Sequence, residues 1–104
     1  MSKLDMNKLM QQAQQMQSQM QQLQEEVANE VVEASAGGGT VSVKLNGVEE
    51  VVAVKIEEQV LASGDRAMVE DLVMAAMNEG IKKAKKLRET EMAKATGVTM
   101  PGLF

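Results

Sequence analysis

The sequence has no cysteine, histidine, tryptophan or tyrosine, and a single phenylalanine, Phe104. Without cysteine there is no disulfide framework, no thiolate nucleophile and no thiolate-held metal. Without histidine the chain lacks the usual general base at neutral pH and an ordinary zinc site. A core with almost no aromatic side chains rests on Val, Ala, Leu and Met, so a chain of 104 residues is expected to form one domain and to gain stability by oligomerising. No apolar run approaches the ~18 residues that would span a bilayer. The start, Met1-Ser2-Lys3-Leu4-Asp5, lacks the apolar block of a secretory signal, and a cytoplasmic protein is expected.

Charge is present, but it is divided. Residues 25–79 hold twelve acids and three bases, residues 80–104 six bases and two acids, and residues 1–24 two bases and one acid. The middle is therefore at −9 and the ends at +1 and +4, within a net charge of −4. The overall balance disfavours a polyanion partner, whereas the distribution favours one if the fold gathers the two ends on one surface. Five of the bases lie within Lys82-Lys83-Ala84-Lys85-Lys86-Leu87-Arg88. A solvated helix end complementing the macrodipole needs fewer, so contact with a polyanion is the favoured reading.

Periodicity sets the elements. Met6, Leu9, Ala13, Met16, Met20, Leu23 and Val27 are spaced 3-4-3-4-3-4 amid nine glutamines in 11–24. That heptad seam predicts a helix over ~3–28, about 39 Å long, part of which projects or pairs with another helix. Strands are expected at ~30–36, 40–45 and 48–57. Val41, Val43 and Leu45 share one face, as do Val52, Val54 and Ile56. Asn46-Gly47 suggests a two-residue type I′ hairpin. Gly37-Gly38-Gly39 reads as a hairpin loop, since it opens no helix and has no Gly-Lys-Ser/Thr ending. A second helix is expected over ~64–95, capped by Ser63 or Asp65, with Gly97 as a C-terminal stop and a flexible tail over 96–104. Its small residues at 76, 80 and 84 suit close packing. The fold class is α+β: long helix, three-stranded antiparallel meander, long helix.

The acid pairs Glu25-Glu26, Glu49-Glu50 and Glu57-Glu58 diverge on either a strand or a helix, so they are read as solvated acids rather than a metal or acid–base site. No nucleophile–base constellation or cofactor fingerprint stands out. No catalytic residue, metal or cofactor is expected. Single-strand and RNA binders stack bases on aromatic side chains, which this chain lacks. Duplex DNA held by its phosphates fits better.

Five segments carry a resemblance: Met6-Asn7-Lys8-Leu9-Met10, Val32-Glu33-Ala34-Ser35-Ala36-Gly37-Gly38-Gly39, Val43-Lys44-Leu45-Asn46-Gly47, Glu70 to Glu79, and Met100-Pro101-Gly102-Leu103-Phe104. In this order they span essentially the whole chain, which resembles the bacterial YbaB/EbfC family of nucleoid-associated proteins. The resemblance implies a tweezer-like homodimer whose helical arms grip duplex DNA, alter its conformation and influence gene expression. On this chain the arms correspond to the first helix and the end of the last one. Lys3, Lys8, Lys82, Lys83, Lys85, Lys86 and Arg88 become the candidate phosphate contacts. Leu9, Met16, Met20, Leu23, Val27, Val41, Val43, Val52 and Val54 are the candidates for helix-seam and dimer packing. The expectation is a nucleoid-associated, homodimeric binder of double-stranded DNA with low sequence specificity and no membrane or small-molecule partner. The rival is a coiled-coil adaptor or holdase whose Met-rich helix takes hydrophobic partners.

Overall fold

The computed structural model describes residues 3–96. The elements are α1 (Lys3–Asn29), β1 (Val31–Ala36), β2 (Val41–Asn46), β3 (Val51–Ile56), α2 (Glu58–Ala62) and α3 (Arg66–Thr96). The strands form an antiparallel sheet in the order β1-β2-β3. The positions expected for a tail after residue 96, and Gly97 as a helix stop, lie outside the described residues.

Alternation along β2 sends Val41, Val43 and Leu45 to one face, where all three are buried. Register places Ala36, Ala34 and Val32 beside them on β1. Across this face runs α3, and the core forms between Ala34, Val41, Val43, Leu45, Ala76 and Ala84, flanked by Leu72, Val73, Met77 and Ile81. The helix lies close because its facing line is small. A Cβ at Gly80 would collide with the Leu45 Cδ1 methyl and approach Val43 Cγ2 to 3.2 Å. The Asp65 carboxylate starts α3 by accepting the Met68 N–H at 3.1 Å, the N-cap role read from the sequence.

Over the sheet, α3 lies chiefly on β1 and β2. It therefore covers two strands of three, and β3 is left largely exposed from Val51 to Lys55. Val41 and Val43, expected among the dimer-packing positions, are instead sealed inside the protomer because α3 lies on them. Val52 and Val54 are each 52% exposed.

Two local expectations are corrected. The β2–β3 connection is not a two-residue type I′ turn. Glu49 N–H donates to the Asn46 carbonyl at 3.0 Å, and the left-handed residue is Glu49 at φ 65, not Gly47. This longer connection matches the three-residue hairpin loop, a turn over 46–49 whose last residue is left-handed, and it delays β3 until Val51. A register shift between Lys44 and Leu45 follows, since Lys44 faces Ala53 and Leu45 faces Val51. Val52 is the extra residue of that bulge. The short α2 was not anticipated. Its five residues are too few to show a period.

Of the heptad stripe on α1, only the last third is covered. Val27 is buried and Met20 and Leu23 are half-buried, whereas Leu9 and Met16 are 50% and 67% exposed. The protomer is accordingly long, 73 × 21 × 17 Å, with a radius of gyration of 20.1 Å where a compact chain of this size has about 13 Å.

Candidate nucleic-acid interface

Chain direction leaves the two positive segments apart along the molecule: Lys3 and Lys8 lie on the outer part of α1, whereas the 82–88 cluster lies on the stretch of α3 that crosses the sheet, where Gly80 meets Leu45, Ala84 is in the core and Lys83 reaches Glu33. α1 runs into the sheet and α3 runs out of it. The covered part of α1 and the last turns of α3, where Met92 is 6% exposed, pack on one another as an antiparallel pair. Beyond this pair α1 continues outward, so Lys8 stands about 18 Å past Met20 along the helix axis. The acidic middle of the chain, which is the sheet, its turns, α2 and the first half of α3, forms the other end. The result is a two-helix arm with Lys3 and Lys8 on its outer part, and the 82–88 cluster on α3 over the sheet and at the arm's root.

Within the cluster at 82–88 the helix distributes the charges. Residues advance by about 100° each. With Gly80 facing the sheet, Lys82, Lys85 and Lys86 point within roughly 60° of the opposite direction. All three are exposed, and none has an ion pair among the described residues. Glu89 shares their side and is half-exposed. Lys83 leans over the sheet edge instead, and its Nζ donates to the Glu33 carbonyl at 2.9 Å. There it covers an edge-strand acceptor that would otherwise be open to another strand. Arg88 turns the other way. Its Nη2 meets Glu49 Oε1 at 3.0 Å, with both side chains 28% exposed.

The five clustered bases therefore separate into three free ammonium groups, one amine tied to the sheet and one guanidinium tied to a turn. Lys3 and Lys8 are exposed on the projecting part of α1. The arrangement is two separate groups of point charges, one on the projecting part of α1 and one on the solvent side of α3 over the sheet, suited to a repeating anion such as a phosphate backbone.

Two bases escaped the sequence reading. Lys44 and Lys55 stand on the face of the sheet away from α3, bordering a shallow depression of about 280 Å³ with Glu33, Ser42 and Ala53. Strand alternation was the available signal, since both are out of phase with Val41, Val43 and Val54.

Comparison with known proteins gives a consistent picture. The model of the YbaB/EbfC DNA-binding family matches residues 1–99. The chain is 49% identical over 105 residues to a nucleoid-associated protein of Alkaliphilus oremlandii, covering 100% of this chain and 92% of that one. It is 44% identical over 101 residues to nucleoid-associated protein DP1429 of Desulfotalea psychrophila, covering 96% and 95%. Among solved structures, the crystal structure of the uncharacterized protein HP0035 from Helicobacter pylori superposes with a TM-score of 0.75 at 27% identity, covering 93% of this chain and 99% of that one.

Proposed function

The chain belongs to the YbaB/EbfC DNA-binding family, and from that premise we propose that it acts as a homodimer whose two-helix arms hold duplex DNA by its phosphates. It is a DNA-binding protein of the nucleoid-associated kind. The observation that carries the mode of binding is the solvent side of α3 at the root of the arm, where Lys82, Lys85 and Lys86 are exposed and free of ion pairs among the described residues. Lys3 and Lys8 add exposed bases on the projecting part of α1. Point charges on flexible stems contact phosphates without reading base edges, so sequence discrimination is low. A body at −9 beside these bases repels the same duplex and keeps contact confined to them. By gripping DNA at two arms the protein alters its conformation and thereby gene expression, in the cytoplasm on the nucleoid.

The homodimer is supported by what α3 leaves open. Val52 and Val54 on β3, with Met74 on α3 at 58% exposed, form an aliphatic flank beside the protomer's own core. A second copy covering that flank completes the burial and sets two arms at a defined separation. The family is described as DNA-binding and the relatives as nucleoid-associated proteins, which favours a binding role over a catalytic one.

The exposed stripe of Met6, Leu9, Met10 and Met16 supports the second reading, an adaptor that takes apolar partners. A salt titration separates the two. Purified protein is titrated onto duplex and single-stranded DNA from low to physiological salt. Binding that favours duplex and weakens steeply with salt is expected. Salt-insensitive or absent binding to duplex would put the adaptor first.

A further inference from the structure

Sheet, α1 and α3 meet at one place, the turn between β2 and β3. Asn46 holds the turn from inside. Its side chain is buried, with Oδ1 accepting the N–H groups of Val48 at 3.1 Å and Glu50 at 2.9 Å, and Nδ2 donating to Glu50 Oε1 at 3.0 Å. From this seat Gly47 reaches α1. Its N–H donates to the carbonyls of Val27 at 3.1 Å and Glu30 at 3.2 Å, ending the helix. A Cβ at Gly47 would collide with the carbonyl oxygen and Cγ1 of Val27, so glycine is required by the approach of α1 rather than by its own φ. Two residues on, Glu49 reaches α3 through Arg88 at 3.0 Å.

Glu49 is the only described non-glycine residue with positive φ, at 65°. Gly or Asn would adopt that conformation at lower cost. The carboxylate is also the wrong sign for a DNA-binding arm. A residue unfavourable on both counts has a use in the contact it makes.

We infer that Glu49 is a positioning residue for DNA binding: through Arg88 it sets the angle at which the two-helix arm leaves the sheet. The inference rests on the reading that the arm holds duplex DNA. Arg88 is then a strut rather than a phosphate contact. The lever is long. From Val27 to Lys3 is about 36 Å of helix, so a swing of about 10° at the root moves the tip by about 6 Å, more than the ~3.4 Å step along one DNA strand.

The sign of one substitution tests this. Glu49→Gln removes a negative charge and releases Arg88, so electrostatics alone makes binding tighter. Positioning makes it weaker, by about tenfold for residues coupled through direct contact. The double variant Glu49→Arg with Arg88→Glu keeps the parent's net charge and rebuilds the pair in reverse. Arm angle is read separately and without DNA, as the distance between spin labels at Gln14→Cys on α1 and Ser35→Cys on the sheet, in protein diluted with unlabelled chain. The expected result is weaker duplex binding and a broadened label distance for Glu49→Gln, with both restored in the reversed pair. Equal or tighter binding by Glu49→Gln overturns the inference, as does an unchanged distance or a reversed pair that restores neither. A parent protein that fails to bind duplex DNA would end the DNA reading instead, while the label distances would still report whether Glu49 sets the arm.

Discussion

Replacing Lys82, Lys85 and Lys86 together by Ala tests the interface most directly. These three are exposed and unpaired among the described residues, whereas Lys83 is spent on the Glu33 carbonyl and Arg88 on Glu49. A homodimer loses six free charges. If all six touch phosphates, the slope of log K against log salt becomes shallower by about 5, at ~0.9 per contact. Between 50 and 200 mM salt the parent should then lose on the order of a thousandfold more affinity than the variant. Alanine is a strong helix former, so helicity should be retained. The assay is fluorescence anisotropy with several unrelated labelled duplexes at four or more salt concentrations. The loss should be alike for all of them, because phosphate contacts carry no base information. The companion variant Lys83→Ala should leave the slope nearly unchanged. A triple variant with the parent's slope, or a Lys83→Ala slope as shallow as the triple variant's, would refute the division of the cluster into free and occupied bases.

The remaining predictions concern packing. Leu23→Ala, at a half-buried site, should destabilise by about 1–2 kcal/mol, and Met16→Ala, at 67% exposure, by less than about 0.5; equal shifts in chemical denaturation would show that the stripe is covered along its whole length. Gly80→Ala should be destabilising by about 1 kcal/mol, as collision with Leu45 outweighs the helix-propensity gain, and a stabilised variant in urea titration would mean that α3 does not lie so close. Asp65→Ala should cost about 1 kcal/mol through loss of the bond to the Met68 N–H, again read by urea titration. Val54→Lys should leave the protomer folded but shift light scattering towards the 11.2 kDa monomer, since a charge on the open flank opposes its burial by a second copy.

Periodicity made much of the fold legible. The heptad stripe marked α1, the alternation of Val41, Val43 and Leu45 marked β2, and Asp65 marked the start of α3. The small line at 76, 80 and 84 announced a close approach, and Gly80 against Leu45 is that approach. The division of charge likewise singled out the exposed bases of α1 and α3. Each of these signals is a relation between residues a few positions apart, which is the range over which helix and strand geometry act.

Other features have causes distant in sequence. The glycine in Asn46-Gly47 looked like the mark of a two-residue hairpin. It is there because the Val27 carbonyl, twenty residues away, leaves no room for a Cβ. Val41 and Val54 show the same alternation, yet one is buried and the other open because α3 stops short of β3. Lys82 and Lys83 are adjacent and chemically identical, but only Lys83 reaches a strand carbonyl. By itself the sequence determined the elements, their apolar faces and the segregation of charge, because each is written in local spacing. Only the tertiary structure decided which faces are covered and which charges are free, because those depend on which distant surfaces a helix of fixed length can reach.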